Sequence, residues 1–166
     1  NVGQRFIPKG EYFIKEGAIS KEVAFINTGV LRSFYHTTRG EEVTYCFSLP
    51  HSFVSAYSSF VSQSGTPENI QALTDVELVT ISRDVILELE NTSMNWLKLL
   101  KFISDQEYLR MEKRILMLQM ETAEKRYEDL ITNNPDLLQL VPLGQLSSYL
   151  GISQRHLSRI RKSIAN

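Results

Sequence analysis

The residues best suited to chemistry lie near the end of the chain, in the segment QRHLSRIRK at 154–162. Arginine can donate two hydrogen bonds to a guanine edge, and glutamine can pair with the donor and acceptor of an adenine edge. On a helix, Arg155 and Arg159 are four residues apart and lie on one face, while Gln154 stands at the helix start. The segment therefore predicts a helix that contacts DNA base edges through Gln154, Arg155 and Arg159.

Other polar side chains of the same segment are better placed for the DNA backbone. Hydroxyl and cationic groups bind phosphates and fix the register of a protein on DNA without reading its sequence. The predicted phosphate contacts are Ser153, Ser158, Arg161 and Lys162.

A helix-turn-helix is the element that would position these side chains. Apolar residues recur at helical spacing on both sides of a glycine: Leu143, Leu146 and Leu150 precede it, and Leu157, Ile160 and Ile164 follow it. Gly151 stands where the first helix would end with positive φ, and the Ser153 hydroxyl can cap the second helix. The pattern predicts two short helices joined by a tight turn.

The charge of the chain is unevenly divided. Residues 137–166 hold four Arg or Lys and no Asp or Glu, whereas residues 1–136 carry a net charge of −5. An acidic body would repel DNA except at the basic segment. The alternative is that both helices belong to a core and that their basic face is only solvated.

Composition limits the other classes. With 166 residues, 42% of them hydrophobic, the chain can form one domain or two small ones. It contains no run of about 18 apolar residues and no leader-like start, so we expect a cytoplasmic protein without a membrane partner. The single cysteine, Cys46, excludes an internal disulfide and a site built from several thiolates, and it is expected to be a small buried thiol rather than a redox sensor. No metal site is predicted, because His36, His51 and His156 lack ligand spacing.

The first half of the chain has the pattern of short strands. Closely spaced turn signals separate the predicted strands, which are 12–15, 23–36, 42–47, 53–55, 69–73 and 76–81. This pattern predicts a small antiparallel barrel or sandwich.

A long helix follows a short one at 83–90. Asn91, Thr92 and Ser93 can cap it, and it runs to about Thr122 with neither Pro nor Gly inside. Apolar residues lie on two sides of this helix, so one side can pack on its own chain and the other on a second copy. The helix therefore predicts a homodimer with Met111, Ile115 and Leu118 near its axis, and the alternative is a long core helix of a monomer.

In this order, the elements resemble the Crp/Fnr family of bacterial transcription regulators. The segment KGEYFIKEGAISKEVAFINTGVLRSFY is similar to the opening strands of the family's cyclic-nucleotide-binding roll, with Gly10, Gly17 and Gly29 at its turns. The segment AEKRYEDLITNNPDLLQLVPLGQLSSYLGISQRHLSRIRK is similar to its DNA-binding module, above all in Bacteroidetes members.

The resemblance implies an α+β fold in three parts. These are an antiparallel β-roll, or jelly roll, as sensor at 1–91, a dimerisation helix at 92–122, and a winged-helix-like helix-turn-helix domain at 123–166. It implies double-stranded DNA and a second copy of the chain as partners, and it allows RNA polymerase and a small-molecule effector. It also places the base-contacting positions on Gln154, Arg155 and Arg159.

One departure from the family concerns the ligand. Nucleotide-binding members carry a Gly-Glu pair whose carboxylate accepts a hydrogen bond from a ribose hydroxyl. They also carry an Arg that forms an ion pair with the cyclic phosphate. Here Ser55-Ala56 and Thr66-Pro67 stand at those places. Because losing a bidentate Arg–phosphate contact costs about two orders of magnitude in affinity, no cofactor is predicted and cyclic AMP is not the expected ligand.

The serine-rich segment between these positions has two interpretations. It can line a neutral polar effector pocket, or it can be a serine-rich loop. The candidate pocket residues are Ser55, Ala56, Tyr57, Ser58 and Thr66.

Two functional classes stay open. The first is a homodimeric, sequence-specific DNA-binding regulator. The second is a ligand-binding or protein-interaction module whose helix-turn-helix serves packing. An enzyme is not expected, since no constellation of nucleophile, base and oxyanion donor emerges from the sequence.

Overall fold

The computed structural model describes residues 2–164, and the chain divides into two compact units, 1–89 and 90–166. The three-part division at 1–91, 92–122 and 123–166 stays a prediction, and its outermost residues 1, 165 and 166 lie outside the described part.

Short strands dominate the first unit, as the turn signals predict. The strands are β1 (Val2–Ile7), β2 (Tyr12–Ile14), β3 (Glu22–Thr28), β4 (Leu31–His36), β5 (Glu42–Ser48), β6 (Phe53–Val54), β7 (Glu68–Ala72) and β8 (Val76–Ser82). A short helix, α1 (Tyr57–Ser62), lies between β6 and β7.

The strands form two four-stranded antiparallel sheets, with the orders β1-β8-β3-β6 and β2-β7-β4-β5. β1 pairs with β8, β2 with β7, β3 with β6 and β4 with β5, so the chain is arranged like one long hairpin rolled on itself. Apolar side chains from both sheets, such as Ile26, Leu31, Ile70 and Leu78, are fully buried in one core. This topology is a jelly roll and confirms the predicted fold class.

Two strand predictions need correction. The strand predicted at 23–36 is two strands, because Gly29 turns the chain between β3 and β4 with φ of 89°. A Cβ on Gly29 would lie 2.2 Å from the Asp75 carbonyl oxygen, so only glycine fits there. The predicted set also omits β1, whose six residues pair with β8 at the edge of the first sheet.

The described part of the second unit is helical. After α2 (Arg83–Thr92) the helices are α3 (Met94–Met120), α4 (Ala123–Asn133), α5 (Leu137–Leu140), α6 (Leu143–Leu150) and α7 (Gln154–Ile164). No wing strand occurs between residues 93 and 164. None of the helices described is both long enough and apolar enough to span a membrane.

Serine and threonine caps set the ends of the long helix. The Ser93 hydroxyl accepts a hydrogen bond from the Trp96 N–H at 3.3 Å, as predicted, and α3 begins there. The helix ends at Met120, two residues before the predicted end, because the Thr122 hydroxyl caps α4 by accepting from the Lys125 N–H.

Candidate nucleic-acid interface and sensor region

The turn between α6 and α7 has the predicted chemistry. Gly151 ends α6 in the left-handed conformation, with φ of 68°, and its N–H donates to the carbonyls of Ser147 and Ser148. The Ser153 hydroxyl then accepts from the His156 N–H at 3.2 Å and caps α7. This capped turn fixes where the polar face of α7 begins.

Apolar side chains hold the two helices together. Leu146 and Leu150 of α6 are buried, as are Leu157 and Ile160 of α7. Ile164 was expected on the same apolar face but is 41% exposed, because it lies in the last turn of α7.

Most of the predicted DNA contacts are exposed to solvent. Gln154, Arg155 and Arg159 are all exposed. Of the predicted phosphate contacts, Ser153, Arg161 and Lys162 are exposed and Ser158 is half-buried. Helical spacing places Arg155, Arg159 and Lys162 on the side opposite Leu157 and Ile160. The helix therefore presents exposed polar and basic side chains to solvent, and their contact with DNA stays a prediction.

One acidic side chain borders this surface. The Glu124 carboxylate, in the first turn of α4, lies 3.7 Å from His156 Nε2. A hydrogen bond from its own backbone N–H, and to a lesser degree His156, hold the pKa of Glu124 below its ordinary value. Glu124 therefore keeps a negative charge beside an otherwise basic helix.

Two arginines that the sequence analysis gave no structural role support the helix-turn-helix. Arg126 Nε donates to the Leu150 carbonyl at 3.0 Å, and its Nη1 donates to the Glu121 carbonyl at 2.6 Å and to the Leu118 carbonyl at 3.5 Å. One guanidinium thus donates hydrogen bonds to carbonyls at the C-terminal ends of both α3 and α6. The sequence signal is weak: Arg126 stands just after the predicted long helix, where a cation can meet free carbonyls.

Arg114 makes a second connection between the same two helices. Its guanidinium lies over the Tyr149 ring, 3.8 Å from the centroid, and its Nη2 donates to the Tyr149 carbonyl. Cation–π stacking of this kind favours arginine over lysine. The end of α3 and the helix-turn-helix are therefore joined through side chains as well as through the backbone.

The long helix exposes the predicted dimer stripe. Not one residue of α3 is buried. Met111, Ile115 and Leu118 follow one another at helical spacing and are 57%, 52% and 40% exposed. Further exposed apolar residues of α3 include Leu99, Phe102, Leu109, Leu116 and Met120. Exposed apolar surface is typical of interaction sites, and the dimer contact of this stripe stays a prediction.

The five candidate pocket residues of the first unit differ in exposure. Ala56 precedes α1 and is fully buried, and Thr66 is 2% exposed. Tyr57 and Ser58 lie on the exposed side of α1, and Ser55 is half-buried. The two positions predicted to correspond to the charged anchors, Ala56 and Thr66, therefore carry small, buried, neutral side chains.

The serine hydroxyls near α1 are engaged by the chain itself. Ser55 Oγ donates to the Glu22 carbonyl at 3.0 Å, and Ser59 Oγ donates to the Ser64 carbonyl at 2.5 Å. Ser62 Oγ similarly donates to the Ser58 carbonyl at 2.8 Å. These bonds favour the serine-rich loop over a polar cavity lining.

Backbone bonds fix the segment around Thr66. Its N–H donates to the Ala18 carbonyl, its carbonyl accepts from the Gly17 N–H, and its hydroxyl accepts from the Glu68 N–H at 3.1 Å. Gly65 lies so close that a Cβ there would be 2.8 Å from the Gly17 carbonyl oxygen. This segment is thus closed against the turn that follows β2.

One small cavity lies near this turn. It has a volume of about 160 Å³ and is lined by Phe13, Ile14, Ile19, Ser20, Lys21 and Glu22. Ligand pockets usually measure about 300–1,000 Å³, so this cavity lies below that range.

Polar groups are also buried in the second sheet. Arg32 is 2% exposed; its Nε donates to Thr44 Oγ1 at 2.7 Å and its Nη1 to the Glu42 carboxylate at 2.6 Å. The Tyr45 hydroxyl donates to Glu68 at 2.6 Å, and burial raises the pKa of both groups above their ordinary values. These side chains satisfy one another inside the roll.

The last two predictions concern the burial of Cys46 and the metal sites. Cys46 is half-buried rather than buried, and its Sγ contacts the Phe47 carbonyl at 3.5 Å. Among residues 2–164, no group of three or more His, Cys, Asp or Glu side chains is arranged to hold a metal ion.

Comparison with known proteins matches residues 4–93 to the cyclic nucleotide-binding domain family. A search of curated protein sequences found no match.

Solved structures share the fold of the whole chain. FixK2 from Bradyrhizobium japonicum superimposes with a TM-score of 0.85 at 17% identity, covering 99% of this chain and 85% of that one. A protein of Eubacterium rectale, described as a transcriptional regulator of the crp/fnr family, gives 0.78 at 14% identity, covering 99% and 79%. The c-di-GMP responsive global regulator CLP of Xanthomonas campestris gives 0.72 at 16% identity, covering 99% and 86%. The proteins of Eubacterium rectale and Xanthomonas campestris are described as regulators.

Proposed function

Since the chain belongs to the cyclic nucleotide-binding domain family and has the fold of Crp/Fnr regulators, we propose that it is a sequence-specific DNA-binding transcription regulator. The observation that carries the proposal is the polar face of α7. It is free of acidic residues, it is exposed, and the capped turn at Gly151 and Ser153 orients it. These are the features of a helix that enters the major groove.

Base readout falls to the residues at the start and along one side of α7. Gln154 and Arg155 enter the groove first, and Arg159 follows one turn later on the same side. Ser153, Ser158, Arg161 and Lys162 contact phosphates and hold the register.

The chain acts as a homodimer through α3. The exposed stripe with Met111, Ile115 and Leu118 is covered by the same stripe of a second copy. A two-fold dimer presents two α7 helices to successive major grooves about 34 Å apart, so the operator is an inverted repeat.

The roll acts without cyclic AMP as its ligand. Ala56 and Thr66 offer neither a carboxylate for the ribose nor a guanidinium for the phosphate, and both side chains are buried. The effector is a molecule of other chemistry, and RNA polymerase is the further partner of an activator of this kind.

Selection of bound sequences from a random duplex pool, with and without cell extract, tests the proposal. We expect an inverted repeat to be enriched. On the best site, Arg159→Ala should weaken binding by about 5- to 150-fold with little effect on random DNA. Lys162→Ala, on the same helix, should weaken binding to the best site and to random DNA alike. It should also lower the slope of log affinity against log salt concentration by about one.

Three results would count against these assignments. Equal losses on specific and random DNA would remove Arg159 from the base readers. An enriched sequence without two-fold symmetry would contradict the dimer geometry. Failure of the wild-type chain to bind any duplex, with extract present, would favour the module whose helix-turn-helix serves packing.

A further inference from the structure

Gly144 of α6 and Gln154 of α7 lie in direct contact. A Cβ placed on Gly144 would be 2.8 Å from Gln154 Nε2 and 3.5 Å from its Cδ. The carboxamide of Gln154 therefore rests against the backbone of the first turn of α6, although Gln154 is otherwise exposed.

Space explains the glycine better than backbone conformation does. Gly144 lies inside α6, and it is not among the glycines with positive φ, which are Gly10, Gly17, Gly29, Gly40 and Gly151. Alanine is favoured over glycine inside a helix, so α6 alone gains nothing from a glycine here. Apart from its chain neighbours and the backbone of its own helix, the Gln154 carboxamide is the one described group within 4 Å of such a Cβ, and it would have to move to accommodate it.

The contact bears on how Gln154 can read a base. A free glutamine side chain has three rotatable bonds and loses this freedom when it binds. A carboxamide that already lies against a helix loses less conformational freedom on binding than a fully solvated one. An adenine edge needs both at once, in one plane.

We propose that Gly144 is a positioning residue that sets the base specificity of Gln154. It touches no base itself; it leaves the room in which the carboxamide is held for an adenine edge. This inference rests on the proposed DNA-binding function.

A double-mutant cycle on the full-length dimer tests it. Binding of wild type, Gly144→Ala, Gln154→Ala and the double variant is measured on the selected operator, on operators with each base pair exchanged, and on random duplex. Gln154→Ala identifies the base pair that Gln154 reads, and Gln139→Ala, an exposed glutamine of α5, is its matched control.

We expect Gly144→Ala to reduce discrimination at that base pair about tenfold and to leave binding to random duplex unchanged. In the Gln154→Ala background it should have no further effect. Because alanine suits a helix, the variant should unfold at the wild-type midpoint or above. In the free protein, the side-chain amide resonances of Gln154 should shift, which tests the contact without DNA.

Unchanged discrimination by Gly144→Ala, or an equal loss in the Gln154→Ala background, would overturn the inference while the proposed function stands. Unshifted Gln154 resonances would overturn it as well. If the wild-type chain binds no duplex, the proposed function fails first, and this inference fails with it.

Discussion

Arg126 gives the sharpest test of how the second unit is held together, through the change Arg126→Gln. The guanidinium makes two short hydrogen bonds to carbonyls, to Leu150 at 3.0 Å and Glu121 at 2.6 Å, and a long one to Leu118 at 3.5 Å. A hydrogen bond from a charged donor contributes about 1.5–3 kcal/mol, but these carbonyls are partly exposed and water replaces some of the loss. We therefore expect the free energy of unfolding to fall by about 2 kcal/mol.

Urea unfolding followed by fluorescence measures this loss. Trp96 is the single tryptophan of the chain and belongs to the second unit, so its emission reports on that unit. Lys125→Gln is the matched control, because Lys125 is the exposed neighbour and its ion pair with Glu128, at 3.5 Å, is worth under about 1 kcal/mol. Arg126→Lys should lose part of the stability, since lysine keeps the charge without the fork. Equal midpoints for Arg126→Gln and Lys125→Gln would refute the reasoning.

Three further outcomes follow from the structure. Burial raises the pKa of Glu68 in the folded state above its unfolded value of about 4.5. Between these two pKa values the folded state binds more protons than the unfolded state, so the free energy of unfolding should fall as pH rises through that range. Glu68→Gln should flatten this pH dependence, and an unchanged profile would contradict the prediction. Ile115→Glu should give monomers in sedimentation, because two charges would meet where the α3 helices of the dimer pack. The control Lys113→Glu should stay dimeric. If Ile115→Glu is still a dimer, α3 is not the interface. Calorimetry with cyclic AMP should show no micromolar binding, and a clear isotherm would mean that other residues replace the missing charges at Ala56 and Thr66.

Local chemistry could be predicted from the sequence. Ser93 and Ser153 cap their helices, and Gly151 ends α6 with positive φ, because each of these features depends on residues only a few positions apart. The polar face of α7 also follows from spacing alone, since its buried residues Leu157 and Ile160 repeat at helical intervals.

Contacts between distant residues could not be predicted in this way. The pairing of β1 with β8 joins residues 69 to 79 positions apart, and alternation alone does not choose a partner strand. The Arg126 bonds to Leu150 and the Gly144 contact with Gln154 depend on how α6 packs, which spacing within a helix does not specify. Likewise, a run of serines has the same sequence whether its hydroxyls face a cavity or bond the backbone.

The hydrogen bonds of the serine-rich segment bear on which ligand could regulate the protein. The serine-rich segment is tied to the roll: the Ser20 N–H donates to Ser59 Oγ at 3.0 Å, the Gln63 side chain donates to the Ser20 carbonyl at 3.2 Å, and Arg83 Nε donates to the Phe60 carbonyl at 3.3 Å. A ligand shifts a conformational equilibrium only by its difference in affinity for the two states. To move this segment, a ligand of the roll must therefore supply more binding free energy than the hydrogen bonds that hold the segment in place. We expect such a ligand to be recognised by hydrogen bonds and apolar contact rather than by a phosphate pair, because the two anchor positions carry no charge.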